Sequence, residues 1–184
     1  MCSVIGQNVD GHVHVLEELV LPASNTWQLC EEFVRRIRSL VHQHGGPVHV
    51  HIYGDATGNS RHSSADQSDW EIIRQALGRV DSLIRPSFQV SKQNPSVRMR
   101  VNSINGMLCN QRQQRRLLVH PECRQLIRDF ERVTWAMDRN GNIMGDIDKS
   151  DPMRTHISDA LGYCVAYESD LVEKGGVLRH GQIF

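Results

Sequence analysis

The stretch Val48-His49-Val50-His51-Ile52-Tyr53-Gly54-Asp55-Ala56-Thr57-Gly58-Asn59-Ser60 decides the fold. Its alternating β-branched residues predict a strand over 48–54. Gly54 and Gly58 then punctuate a Gly/Ser-rich loop running from Asp55 to Gln67. Asp55 therefore stands at the carboxyl end of a strand, where ligands and reacting groups collect in open α/β sheets. An aspartate in Asp-x-x-Gly also serves simply to satisfy loop amides, so its meaning depends on what converges on it.

Towards the N-terminus, Gly45-Gly46-Pro47 stops a predicted helix that Asn25 or Thr26 caps, with Leu29, Phe33, Val34, Ile37, Leu40 and Val41 at helical spacing. Before it, Cys2 to Gln7 and His12 to Leu21 read as strands joined at Asp10-Gly11, a dipeptide that tolerates the positive φ of a tight hairpin. Towards the C-terminus, Ser68-x-x-Glu71 is a capping box that starts a helix bearing Trp70, Ile73 and Leu77. Ser87 to Ser91 reads as a strand. Asn94-Pro95 opens a helix with Val97, Val101, Ile104 and Leu108 on one stripe. Leu117 to Val119 is a short strand, Pro121 opens a helix carrying Leu126, Ile127, Phe130 and Val133, and Asp151-Pro152 starts the last long helix. Strands and helices alternating after an antiparallel opening predict one α/β domain over 1–184, a mixed sheet flanked by helices.

Composition agrees with one core: 184 residues, 39% hydrophobic and 23% charged. No apolar run nears the roughly 18 residues of a membrane span, and no signal peptide opens the chain, so a cytoplasmic protein with no membrane partner is expected. The five cysteines lack any close Cys-x-x-Cys pair, which argues against a disulfide framework or a cysteine zinc site. A formal net charge of zero argues against a histone-like or tail-like binder of nucleic acid. Yet between Arg85 and Arg139 eleven basic residues face four acidic ones, an excess that suits either phosphates or solvated, internally paired helix faces.

The second segment with chemistry is Asp151-Pro-Met-Arg-Thr-His156-Ile-Ser-Asp159-Ala-Leu-Gly-Tyr163. On a helix His156, Asp159 and Tyr163 share one face, and Ile157, Ala160, Leu161 and Cys164 form the buried stripe on another. A plain solvent-facing stripe has the same pattern. Asp151 is accounted for as a helix cap and Asp148 by the turn before it. The pairs His12/His14, His42/His44 and His49/His51 raise zinc as an alternative, since residues two apart on a strand share a face. No three or four ligands there share a recognisable spacing, and histidine alternating with valine equally describes a half-exposed strand.

The run Tyr53-Gly54-Asp55-Ala56-Thr57-Gly58-Asn59-Ser60-Arg61, with Ser68-Asp69-Trp70 and Ile72-Ile73, resembles the second catalytic segment of phage terminase large-subunit nuclease domains. The likeness continues, in order along the chain, through Asn94-Pro95-Ser96-Val97, Arg100-Val101-Asn102-Ser103-Ile104-Asn105, Cys123-x-x-Leu126-Ile127-x-Asp129 and Asp148-Lys149-Ser150-Asp151-x-x-x-Thr155-His156-x-Ser158-Asp159-Ala160. It covers nearly the whole chain.

The resemblance implies an RNase H-like fold and a metal-dependent endonuclease acting on double-stranded concatemeric DNA in a phage-infected or prophage-carrying bacterium. It implies Asp55 and Asp159 as ligands of magnesium or manganese, two ions in such sites, with His156 beside them; carboxylates suit these hard cations. The partners implied are DNA, the terminase ATPase domain, the small terminase subunit and the portal. Arg112, Arg115 and Arg116 are the leading candidates for phosphate contacts. The chain departs from the family in lacking the segment like Asp-x-Asn-x-x-Pro that carries the first metal-binding aspartate. Asp10, at a hairpin tip, does not replace it, so the expectation is a domain without its first strand, truncated at the N-terminus. No Gly-x-x-x-x-Gly-Lys-[Ser/Thr] phosphate loop is present, which puts the packaging ATPase elsewhere. A catalytically inactive nucleic-acid-binding or assembly fragment stays open as the alternative, with a zinc protein behind it.

Overall fold

The computed structural model describes residues 1–60, 66–80, 82–151, 154–173 and 182–183; of 44, 170–173 and 182–183 it describes the backbone alone. β1 (Cys2–Val9) and β2 (His12–Val20) form an antiparallel hairpin whose turn holds Asp10 at φ 51° and Gly11 at φ 77°. Positive φ at both turn positions matches the twist of paired strands. α1 (Thr26–His44) starts in a reciprocal capping box between Asn25 and Gln28 and stops at Gly45, left-handed at φ 75°. β3 (Val48–Tyr53) follows, then a 3-10 turn (Ala56–Asn59), then α2 (Asp69–Gly78) behind the Ser68/Glu71 capping box. The remaining elements are β4 (Ile84–Gln89), α3 (Val97–Leu108), β5 (Leu117–Val119), α4 (Arg124–Arg132), β6 (Trp135–Met137), β7 (Ile143–Ile147), α5 (His156–Glu173) and β8 (Gln182–Ile183).

Six strands make one mixed sheet in the order β4-β3-β8-β1-β2-β5, in which β1 alone runs against the others; β6 and β7 form a separate hairpin. Helices cover both faces. On one, Ile37 and Val41 of α1 pack on Ile5, Leu19, Val48, Val50 and Ile84. On the other, Ile104 of α3, Leu126 of α4 and Ile157, Leu161, Cys164 and Val165 of α5 pack on Val4, Val13, Val15 and Leu117. Leu126 and Leu161 are fully buried, each contributing about 2 kcal/mol by removal of apolar surface from water. No helix among the described residues is long and apolar enough to cross a membrane.

Several boundaries differ from the sequence expectation, each for a tertiary reason. The strand expected over 87–91 begins at Ile84, because β4 pairs in register with β3 from Val48↔Ile84 onward. α3 is capped by Ser96, whose hydroxyl accepts the Met99 amide, and not by Asn94, whose side chain is committed to Asp55 and Ala56. α4 starts at Arg124 rather than Pro121, and its first amides are capped from β2: the Glu18 carboxylate accepts Gln125 N and Leu126 N, both at 2.9 Å. α5 starts at His156 rather than at Asp151-Pro152; Arg154 N bonds to Asp151 O in a turn, and Pro152 lies outside the described residues. The loop expected over 55–67 contains the 3-10 turn, and its residues 61–65, Arg61 among them, also lie outside. The β6–β7 hairpin has no counterpart in the sequence reading.

Candidate functional site

Among the described residues the sheet leaves an opening. β8 is two residues long, pairing with Gln7 and Asn8 of β1 and with Val50 of β3. Beyond its end, between Met1–Val4 and His51–Asp55, lies a cavity of about 380 Å³. Leu29 and Phe33 of α1 and Trp70 and Ile73 of α2 form apolar walls, while Asp55, Asp69, Asp159, His51 and His156 are its acidic and imidazole groups. The structure thus brings the three residues singled out as a site, Asp55, His156 and Asp159, to one cavity.

Asp55 stands one residue, Gly54, beyond β3 and its carboxylate is heavily engaged. Oδ1 accepts the Thr57 amide at 2.7 Å, the Thr57 hydroxyl at 2.7 Å and the Asn94 side-chain amide at 2.6 Å. The Tyr163 side chain faces the same carboxylate from α5 and helps to hold its charge. Trp70, 3% exposed, donates its indole N–H to the Asp55 carbonyl at 2.7 Å and so fixes the backbone beneath. Partial burial pushes the Asp55 carboxyl up, but the bonds from Thr57 and Asn94, together with the Tyr163 side chain, outweigh it and hold the group below the ordinary carboxylate range. Tyr163 is itself pushed up to about 12, first by burial, then by the Asp55 and Asp159 charges, with Arg100 pulling the other way.

Asp159 sits in the first turn of α5, and that turn is held from two sides. Asp129 of α4, 2% exposed, accepts Thr155 N at 3.1 Å and Ser158 N at 3.2 Å, satisfying amides that begin the helix. Thr155 has φ 79°, a conformation that costs a β-branched residue free energy and persists only when its surroundings impose it. From α3, Arg100 donates Nη2 to Asp159 Oδ1 at 2.9 Å. His156 is exposed beside them. Arg100 and Asp129 fall within the terminase-like segments of the sequence, but the sequence reading gives neither a role: each is a charged residue inside a helix, and only its partner far along the chain explains its burial.

Two carboxylates are donors of the right type for a hard divalent cation, and the imidazole stands beside them. Among the described residues, however, no three His, Cys, Asp or Glu side chains come together in a group able to hold a metal ion. Asp55 Oδ1 is saturated by three donors and Asp159 Oδ1 is paired with arginine. As they stand, these residues do not compose a complete metal set. Of the histidine pairs, His49/His51 does not supply one: His49 is exposed while His51 is buried, its Nδ1 2.6 Å from the Ser87 hydroxyl; the side chain of His44 lies outside the described residues.

Arg112, Arg115 and Arg116 lie elsewhere. They occupy the loop between α3 and β5, at the amino end of β5, whereas Asp55 follows the carboxyl end of β3, which runs in the same direction. α3, with Arg100 at its site end, separates the two by its 12 residues, about 18 Å of helix. Arg112 and Arg115 are exposed; Arg116 is half-buried.

No protein-family description matches the chain, and no curated protein sequence matches it. Among solved structures it is similar to the nuclease domain of g2p, the large terminase of bacteriophage SPP1, crystallised with bound Mn: 16% identity and a TM-score of 0.45, over 92% of this chain and 86% of that one.

Proposed function

We propose that this chain is an RNase H-like nuclease domain of a phage DNA-packaging terminase, a divalent-metal-dependent endonuclease that cuts double-stranded DNA. The observation that carries the reading is that Asp55, at a strand end, and His156 and Asp159, on a helix far along the chain, line one cavity. These are the residues that the colinear terminase-like segments of the sequence single out. Magnesium or manganese is the cofactor of this reading, and the ATPase domain, small subunit and portal of a packaging motor are its partners.

The donor set is incomplete in the residues described, so the reading includes one more element. The cavity lies between β1 and β3, where neighbouring strands of a sheet stand roughly 4.8 Å apart once a strand fills the gap. β8 already joins β1 to β3 through Gln182 and Ile183, so the aspartate of the Asp-x-Asn-x-x-Pro segment would have to arrive on a strand that continues this position past Ile183 or replaces β8, setting a third carboxylate beside the other two.

The test compares the 184-residue chain with a version extended upstream in manganese-dependent plasmid cleavage. The extended protein is expected to cut, the short one to cut poorly, and Asp55→Ala or Asp159→Ala to abolish cutting in the extended protein. Equal rates for the two lengths would remove the third carboxylate from the account, and cutting that survives both substitutions would end the nuclease assignment. The pairing of Asp159 with Arg100 favours a second reading, a catalytically inactive nucleic-acid-binding or assembly domain, for which no metal-dependent cutting appears at either length.

A further inference from the structure

Arg100 is costly to place where it is. Its side chain is 8% exposed, yet burial of a guanidinium is favourable only when it is paired and hydrogen-bonded. Nη1 donates to the Pro95 carbonyl at 2.9 Å and Nη2 to Asp159 Oδ1 at 2.9 Å, but Nε is buried with no hydrogen-bond partner among the described residues. The guanidinium carbon lies 4.6 Å from the centroid of the Tyr163 ring. Space for the stem is provided by α5 itself: a Cβ on Gly162 would stand 3.2 Å from Arg100 Cβ and 3.3 Å from its Cδ. Any side chain at 162 would therefore press on the arginine. The 94–96 turn, α3 and α5 all shape this one position, and it touches both halves of the candidate site: Asp159 directly, and Asp55 through Tyr163.

We infer that Arg100 is a positioning residue, the standing counter-ion of Asp159, which holds that carboxylate towards the cavity and opposes the entry of a cation beside it. An arginine does not shed its proton, so the positive charge is permanent. Its guanidinium engages Oδ1 and leaves Oδ2 as the oxygen available to a ligand. A divalent ion on Oδ2 would then lie close to a like charge in a partly dry site, where Coulomb repulsion is far less screened than in water. The pair itself stands on geometry alone; only its opposition to a cation rests on the nuclease reading.

The experiment uses the full chain as wild type, Arg100→Met, Asp159→Asn and the double variant. Methionine keeps the packing of the stem without the charge, and Arg100→Gln, whose amide still reaches the Pro95 oxygen, runs alongside in case the methionine variant does not fold. Thermal unfolding without metal is read first. Arg100→Met should lower the melting temperature when Asp159 is present, and much less in the Asp159→Asn background, where the carboxylate charge is gone. Equal shifts in both backgrounds would overturn the pair. Mn2+ binding is read next, from the paramagnetic resonance signal of the free ion. The arginine variants should bind the ion about tenfold more tightly than wild type, as expected when a neighbouring like charge is removed. Binding no tighter than wild type overturns the opposition; if Asp159→Asn still weakens wild-type binding, the cation site survives that result. If no variant binds Mn2+, the opposition to a cation is overturned, while the pair is decided by the melting temperatures and the nuclease reading by the cleavage assay of the extended protein.

Discussion

Asn94 and Asp55, 39 residues apart, are joined at 2.6 Å by the asparagine amide, and the same asparagine accepts the Ala56 amide at 2.8 Å. One side chain thus ties the entrance of α3 to the loop after β3, and it does so because Ser96, not Asn94, caps the helix.

Asn94→Ala removes both bonds, and because the site is partly exposed the cost should be about 1 kcal/mol. The pH dependence is more specific. Asp55 titrates below its ordinary value in the fold, so its bonds stabilise the protein fully above the unfolded value, about pH 4. That contribution is lost as pH falls through the lower folded value. Melting temperatures measured below about pH 4 should therefore fall less steeply in Asn94→Ala than in wild type. Parallel acid limbs would mean that Asn94 does not depress the Asp55 pKa.

Asp129 is a helix cap delivered from another helix. Its carboxylate accepts two amides at the start of α5 while almost fully buried, and nothing else among the described residues replaces it for Thr155 N and Ser158 N. Asp129→Ala should cost about 2 kcal/mol, roughly 4–8 °C in melting temperature for a chain this long. Amide exchange should speed up first in residues 155–159. Unchanged exchange there, with the melting point lowered, would show that Asp129 supports α4 packing instead.

What is legible in the sequence is what local chemistry determines. Asp10-Gly11 specifies its turn, Asn25/Gln28 and Ser68/Glu71 their capping boxes, and the Val48–Tyr53 alternation a strand that ends at Asp55. His156, Asp159 and Tyr163 are legible as one helical face. What escapes such a reading depends on residues distant in the chain. The β6–β7 hairpin leaves Met137, Ile143 and Met144 exposed, so no buried alternation announces it, although Asn140-Gly141 is a turn dipeptide. The roles of Glu18, Arg100 and Asp129 stay hidden until Leu126, Asp159 and Thr155 are brought to them, even though Arg100 and Asp129 fall within the terminase-like segments.

Trp70 is clasped by two glycines. A Cβ on Gly58 would lie 3.0 Å from Trp70 Nε1, and one on Gly54 3.0 Å from Cζ2, while the indole N–H holds the Asp55 carbonyl. The indole is buried, so it has little room to retreat. Gly58→Ala should push it off that bond, lowering stability by about 1–3 kcal/mol and altering the tryptophan emission. A variant with wild-type melting point and emission would show that the loop yields instead of the ring.

The arginine loop supplies the last prediction. The sequence groups Arg112, Arg115 and Arg116 as phosphate contacts, but the structure separates their circumstances. Arg112 and Arg115 are exposed, whereas Arg116 is half-buried, its Nε is enclosed without a hydrogen-bond partner, and its backbone bonds to Met107 O and from Val13 N at 2.7 Å each. Arg116 therefore belongs to the junction of α3, β5 and β2 as much as to the surface. If the loop meets DNA, Arg112→Ala with Arg115→Ala should leave the melting temperature in place and weaken binding alike for unrelated sequences. Each lost contact should flatten the slope of log affinity against log salt by about 0.9, or about 1.8 for the pair. Arg116→Ala alone should act mainly through stability, with a smaller change in slope. An unchanged slope in the double variant would place the DNA surface away from this loop, and the site end of α3, where Arg98 is exposed in the first turn, would be the next basic position to replace.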